Sequence, residues 1–285
     1  MRATVWGCRG SLASPGPDTV RYGGNTSCIE LRLSDDSVIV LDAGTGIRPL
    51  GDKLIREGRP DRIDVLLTHL HMDHLEGLGF FGPIWDPSAE VHIWGPASPT
   101  KSLEQRIAMY LSPPLFPVHL REIPANLICH DVPSVEWQLG PATIFADLIN
   151  HPGPTVGFRI TDAERTVAYI PDHEPALGVE DLSTASPDWV SGVSVAWDVD
   201  VLFHDSQYTD EEYTTRVGWG HSTTRHAVAF GLLAKVHRFV MFHHDPTHSD
   251  DQLDGILALA RELWGTDADA ETTIEMAHEG LQLEV

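Results

Sequence analysis

Short apolar runs separated by glycine, proline and acidic residues recur along the chain, and they predict a protein rich in strands. Residues 3–9, 27–33 and 37–43 read as three strands, the first two separated by a Gly/Pro-rich loop over 10–25 that is long enough to reach across a site. Asp42-Ala43-Gly44-Thr45-Gly46 ends the third in a turn, and an amphipathic helix over 49–57 leads to a buried strand over 63–68. Strands resume at 142–149, 155–161, 166–171, 199–203 and 238–242, with a helix over 223–235 before the last of these. Ser249-Asp250-Asp251-Gln252 is a capping box opening a final helix, whose buried stripe is Leu253, Ile256, Leu257, Ala260, Leu263 and Trp264. Residues 272–285 are strand-like. The stretch 80–135 breaks the pattern: it is dense in proline and aromatics (Phe80, Phe81, Trp85, Phe116) with a helical piece near 101–111. It is expected to be an irregular insertion that walls or lids a pocket. With no internal repeat and no low-complexity linker, 1–285 reads as one domain.

Length and charge narrow the partners. The 285 residues, 42% of them hydrophobic, suffice for one large core. A net charge of -23, with 19 Lys and Arg spread along the chain, offers no basic stripe for a long nucleic acid. A small anion can still be bound locally where metal ions reverse the field. Cys8, Cys28 and Cys129 are odd in number and lack C-x-x-C spacing, which fits packed thiols in a reducing compartment. No apolar leader and no run of membrane-spanning length is seen, so a soluble cytoplasmic protein without a membrane partner is expected.

The candidate chemistry lies where strands end. His69-Leu70-His71-Met72-Asp73-His74 follows the strand at 63–68 directly. Imidazoles and a carboxylate so close together suit zinc, manganese or iron rather than a core. One tight turn cannot aim all four at one ion; the simplest arrangement sends His69 and His71 to one metal, and Asp73 and His74 to another. Other strand ends deliver Asn150-His151-Pro152-Gly153, Pro171-Asp172-His173, Gly220-His221-Ser222-Thr223 and Phe242-His243-His244-Asp245-Pro246. A layered α/β architecture can gather such ends into one pocket.

These motifs resemble the metallo-β-lactamase superfamily, whose fold is an α/β four-layer αββα sandwich. Within it the chain is similar to the ribonuclease Z and phosphoribosyl cyclic phosphodiesterase branch, from Trp6 to about Gln252. The branch is carried by Asn150-His151 followed by Val156-Gly157-Phe158-Arg159, by Leu202-Phe203-His204-Asp205, by Gly220-His221-Ser222-Thr223 and by Met241-Phe242-His243. The resemblance implies two divalent ions, zinc foremost, with manganese or iron as the other choices. The first would take His69, His71 and His151; the second Asp73, His74 and His243; Asp172 would bridge them. The doubled histidine leaves His243 against His244, and the preceding strand's alignment favours His243, since alternation sends the two to opposite faces. His221 would be the general acid that protonates the leaving oxygen, oriented by Asp205. Asp73 counts among the reacting groups as well as the ligands. Asp42 would steady the first metal-binding loop. His173 stands where the branch has Thr or Ser, and it reads either as lining the pocket or as a half-exposed loop histidine. Of Arg21, Tyr22, Asn25, Thr26 and Arg48 on the N-terminal loops, Asn25 is the preferred substrate contact.

The function implied is hydrolysis of a small or cyclic phosphodiester by a hydroxide shared between two metal ions, with a histidine acid at the leaving group. A lactone or thioester hydrolase on the same dinuclear site is the alternative; a non-catalytic, metal-stabilised binding module is a further one. Dimers are common in the branch, so a homodimer is an expected assembly.

Overall fold

The computed structural model describes residues 1–178, 181–267 and 272–285. Among the described residues fourteen strands form two seven-stranded sheets. The first is built from β1 (Arg2–Gly7), β2 (Cys28–Arg32), β3 (Val38–Leu41), β4 (Arg62–Leu66), β5 (Glu90–Gly95), β6 (Asn126–Asp131) and β14 (Gln282–Glu284), in the order β14-β1-β2-β3-β4-β5-β6. The second contains β7 (Trp137–Leu139), β8 (Ala142–Leu148), β9 (Val156–Asp162), β10 (Arg165–Ile170), β11 (Val201–Asp205), β12 (Arg238–Phe242) and β13 (Thr273–Met276), in the order β13-β12-β11-β10-β9-β8-β7.

Each sheet is antiparallel on one side and parallel on the other. In the first, β3, β4, β5 and β6 run parallel; in the second, β10, β11, β12 and β13 do. The inner parallel strands β3, β4, β10, β11 and β12 are buried on both faces along most of their length, which is why they are largely apolar, while the edge strands β6 and β13 are partly exposed. In β3, Ile39 and Leu41 face the space between the sheets, while Val38 and Val40 face the helices. The central layer packs Ile29, Leu31, Ile39 and Leu41 against Phe158, Ile160, Tyr169, Phe203 and Phe242. Helices α1 (Ile47–Glu57) and α2 (Leu103–Tyr110) cover the first sheet through Leu50, Leu54 and Ile107. Helices α3 (Val193–Ala196), α5 (Thr224–Leu233) and α6 (Asp250–Asp267) cover the second through Val195, Phe230, Leu253 and Trp264, while the single-turn α4 (Asp210–Tyr213) lies in the loop after β11. The result is a four-layer αββα sandwich.

Two expectations change. The 80–135 stretch contributes β5 and β6 as paired strands of the first sheet, with only the segments around them irregular. Its Phe81, Ile84 and Phe116 are buried in the core under α1 and α2 instead of lidding a pocket. Proline density masked the alternation of β5, in which Val91 and Ile93 face the helices. The C-terminal 272–285 divides as well: β13 joins the second sheet and β14 crosses to pair with β1 of the first. The last helix begins as its motif predicts, with the Ser249 N–H on Gln252 Oε1 (2.8 Å) and the Gln252 N–H on Ser249 Oγ (3.3 Å). No described helix is long and apolar enough to cross a membrane.

Candidate metal centre

Parallel strands that end at one edge of two facing sheets bring their following residues together. Asp42 follows β3, His69 to His74 follow β4, Asp172 follows β10, Asp205 ends β11 and His243 follows β12. β8 runs parallel to β10 across two antiparallel steps, so His151 emerges at the same edge.

Among the described residues three groups of donors result: Asp205, His221 and His243 form the smallest, and the other two meet at Asp172. Of those two, His69, His71, His151 and Asp172 form the first; Asp73, His74, Asp172 and His243 form the second. In the second group, His74 Nε2 lies 3.3 Å from Asp73 Oδ2 and 3.3 Å from His243 Nε2, and His243 Nε2 lies 3.2 Å from both Asp73 Oδ2 and Asp172 Oδ1. In the first, His151 Nε2 is 3.1 Å from His71 Nδ1 and 3.6 Å from Asp172 Oδ2, and His69 Nε2 is 3.7 Å from the same oxygen. Donors bound tetrahedrally at zinc–nitrogen distances stand about 3.3 Å from one another, so this spacing suits a cation between them. His69 Nε2 is buried without a hydrogen-bond partner, another mark of a site arranged for an ion. The donor set fits divalent metals.

The electrostatics agree. Burial opposes the charge of Asp172, yet the imidazoles of His243, His74 and His69 hold its carboxyl well below the usual range. Burial likewise opposes protonation of His74, but the carboxylates of Asp172, Asp73 and Asp42 raise it well above an ordinary histidine. These carboxylates demand positive charge, and His74 supplies it here. Burial lowers His69, His71 and His151, favouring the neutral imidazole that binds metals.

Neighbouring side chains fix how the imidazoles point. Asp42 accepts from His74 Nδ1 (2.7 Å), the Thr68 N–H (2.7 Å) and the Tyr169 hydroxyl (2.9 Å), leaving His74 Nε2 to face the cluster. His151 Nδ1–H donates to the Gly220 carbonyl (2.8 Å). Gln207 Oε1 meets His243 Nδ1 at 2.9 Å, and the Ser11 N–H reaches Asp73 Oδ2 at 2.7 Å, bringing the 10–25 loop to the site. Of the doubled pair, His243 enters the cluster; His244 turns away to donate from Nε2 to the Ala277 carbonyl (2.8 Å).

Beside the cluster stands a dyad. His221 Nδ1 lies 2.7 Å from Asp205 Oδ2, and its ring stacks on His243 with centroids 5.0 Å apart. Asp205 also accepts the main-chain N–H groups of His173, Gln207 and Ser222 at 3.0, 3.0 and 3.1 Å. Burial works against protonation of His221, but Asp205 outweighs it and raises the imidazole. A histidine so held keeps a proton to give from Nε2.

Several sequence candidates lie elsewhere. His173 is neither pocket-lining nor half-exposed: it is fully buried behind the site, with Nδ1 2.9 Å from His204 Nε2 and its ring edge on Phe230. Asn25 acts through its main chain, the N–H on Glu279 Oε1 (2.7 Å) and the carbonyl accepting from Cys8 and Arg9. It lines a separate cleft with Thr45 and Glu279. Arg21 and Tyr22 bind the acidic start of α6 through Asp251 and Asp254. Thr26 is buried against Thr45 and Glu76, and Arg48 pairs with Asp52 on α1. Sequence reasoning missed Gln207, Ser11, Tyr169 and Glu174. Tyr169 alone carried a signal, as a polar-tipped residue inside an otherwise apolar strand.

A family model described as "Beta-lactamase superfamily domain" matches residues 38–244. Ribonuclease Z of Myxococcus xanthus is 24% identical over an alignment of 302 positions, gaps included, covering 92% of this chain and 92% of the relative. Among solved structures, the metallo-β-lactamase fold protein YhfI of Bacillus subtilis superposes with a TM-score of 0.69 at 20% identity, covering 99% of this chain and 98% of that one. A diphosphatase from the PhnP family gives 0.67 at 18% identity, covering 100% and 97%. A match that runs from β3 through His243 and takes in every strand end of the cluster makes this chain a member of the β-lactamase superfamily.

Proposed function

We propose that this protein is a metal-dependent phosphodiesterase that cleaves a small or cyclic phosphodiester. The observation that carries the reading is the His221–Asp205 dyad standing beside a double cluster of metal-competent donors. His69, His71, His151 and Asp172 would hold one divalent ion, and Asp73, His74, Asp172 and His243 a second, zinc being the ion this donor set suits best. Two such ions, when bound, neutralise phosphoryl oxygens and make a water acidic enough to attack at neutral pH.

The chain's own residues do the rest. Asp42 and Gln207 keep His74 and His243 turned into the cluster. Asp205, held by three main-chain N–H groups, orients His221 so that Nε2 carries the proton for the departing alkoxide. A thioester releases a thiolate that needs little help from such an acid, so the dyad speaks against a thioester, while a lactone releases an alkoxide and is separated from the diester by the substrate panel. The similarity to a ribonuclease Z supports a phosphodiester bond, and the charge of -23 favours a small molecule over a long RNA.

The test is metal analysis with a panel of bis(p-nitrophenyl) phosphate, nucleoside cyclic phosphates, a structured RNA and lactones. His221→Ala is expected to lower turnover of cyclic phosphates about 10²–10⁴-fold with metal content kept. Loss of metal in that variant would make His221 structural. Cleavage of the RNA without turnover of any small diester would replace this reading with an RNA-processing one.

A further inference from the structure

Glu174 is fully buried, carries no ion pair among the described residues, and takes no part in the chemistry above. A buried carboxylate without a cation is costly unless every lone pair is engaged. Here Oε1 accepts the Gly218 N–H (2.8 Å) and the Tyr213 hydroxyl (2.7 Å), and Oε2 accepts the Gly220 N–H (2.8 Å). The main-chain N–H of Glu174 donates to the Asn150 carbonyl (2.9 Å). One residue thereby holds two loops, the one that presents His151 and the one that presents His221.

The geometry at Gly220 shows how tightly they are joined. Its φ is +91°, a conformation side chains rarely adopt, and a Cβ there would fall 2.4 Å from His151 Nδ1 and 2.3 Å from Pro152 Cδ. Its N–H is taken by Glu174 and its carbonyl by His151, so the peptide units on either side of Gly220 are each held, and neither can rotate without breaking its bond. His221 follows directly, its ring 5.1 Å from that of His151.

We propose that Glu174 is the positioning residue for proton delivery: its two oxygens pin the 218–220 backbone against the His151 loop and so set His221 where the leaving oxygen departs. This rests on the reading of His221 as the acid. Glutamine at 174 fills the same space but offers one acceptor oxygen instead of two, so one of the three donors meets an amide N–H.

The experiment compares leaving groups. p-Nitrophenolate departs with little need of a proton, whereas the ribose alkoxide of a nucleoside 2′,3′-cyclic phosphate needs one. Wild type, Glu174→Gln, Tyr213→Phe and His221→Ala are assayed on bis(p-nitrophenyl) phosphate and on a 2′,3′-cyclic nucleotide, with zinc per chain and thermal unfolding measured on each. Glu174→Gln is expected to lose about 10²-fold in kcat on the cyclic nucleotide, the scale of a small misplacement of a reacting group. Its loss on the nitrophenyl ester should be at least tenfold smaller, with zinc per chain kept. Tyr213→Phe, which removes one donor and leaves the carboxylate, should show the same selectivity at a smaller size and keeps the proposal testable if Glu174→Gln fails to fold. Equal losses on both substrates, or none, in a folded and metal-loaded variant would overturn the proposal. If His221→Ala itself shows no selectivity between the substrates, the acid assignment fails instead.

Discussion

At the scale of single residues, Asp42 shows how one carboxylate orders a site it does not enter. It sits at φ 59°, a backbone conformation that a non-glycine residue keeps only when its surroundings require it. From there it collects His74 Nδ1–H, both donors of Thr68 and the Tyr169 hydroxyl, tying the ends of β3, β4 and β10 together. Asp42→Asn replaces one acceptor oxygen with a donor and loosens the orientation of His74. Zinc affinity should fall about 10–100-fold, the usual size of such outer contacts, as read by competition with a chromogenic chelator. Zinc held as tightly as in wild type would show that His74 needs no such support. Tyr169→Phe should give a smaller loss in the same assay. The place of Asp42 was legible in the sequence because it closes an apolar run before a Gly-rich turn, and its role only through the resemblance to the superfamily. Gln207 was not: its bond to His243 spans 36 positions and nothing local announces it.

At the scale of elements, β11 delivers two different residues to its end. Asp205 reaches the site, while His204 is fully buried, its Nδ1–H on the Asp205 carbonyl (2.7 Å) and its Nε2 facing His173 Nδ1 (2.9 Å). Those two bonds leave His204 no place for a second proton, and burial pushes its pKa down to about 4. An unfolded histidine titrates near 6.5, so protonation favours the unfolded chain. The stability this neutral histidine contributes is complete above about pH 6.5 and is lost as pH falls from there toward 4, about 2 kcal/mol by pH 5. His204→Gln, whose amide can make both bonds without titrating, should flatten the decline between pH 7 and 5 by that amount in urea unfolding at equal metal loading. An unchanged decline would assign the acid sensitivity elsewhere. The other elements divide by how local their signals are. β3, β4, β10 and β12 are near-continuous apolar runs, and α6 opens on a capping box, so each was readable. β5 and β6 were hidden by the prolines and aromatics around them. The split of 272–285 between two sheets is a matter of topology that a strand pattern cannot specify.

At the scale of the whole molecule, the cluster sits in a chain of net charge -23, and even two divalent ions leave it strongly negative. A diester monoanion approaching from bulk solvent therefore meets a repulsive long-range field and an attractive short-range one. Salt screens the first far more than the second, because the Debye length shrinks from about 30 Å at 0.01 M to about 10 Å at 0.1 M while the donors lie buried. KM for a small diester should accordingly fall as ionic strength rises from 0.01 to 0.15 M, with kcat nearly constant. A protein that grips a long RNA through its phosphates behaves in the opposite way, since each neutralised phosphate releases counterions and binding weakens steeply with salt. Steady-state kinetics on a nucleoside cyclic phosphate across that range, in an inert salt that does not bind zinc, thus separates the two substrate classes without the natural substrate being known. A KM that climbs with salt would mean that a local basic surface governs approach, and the small-substrate reading would have to be given up.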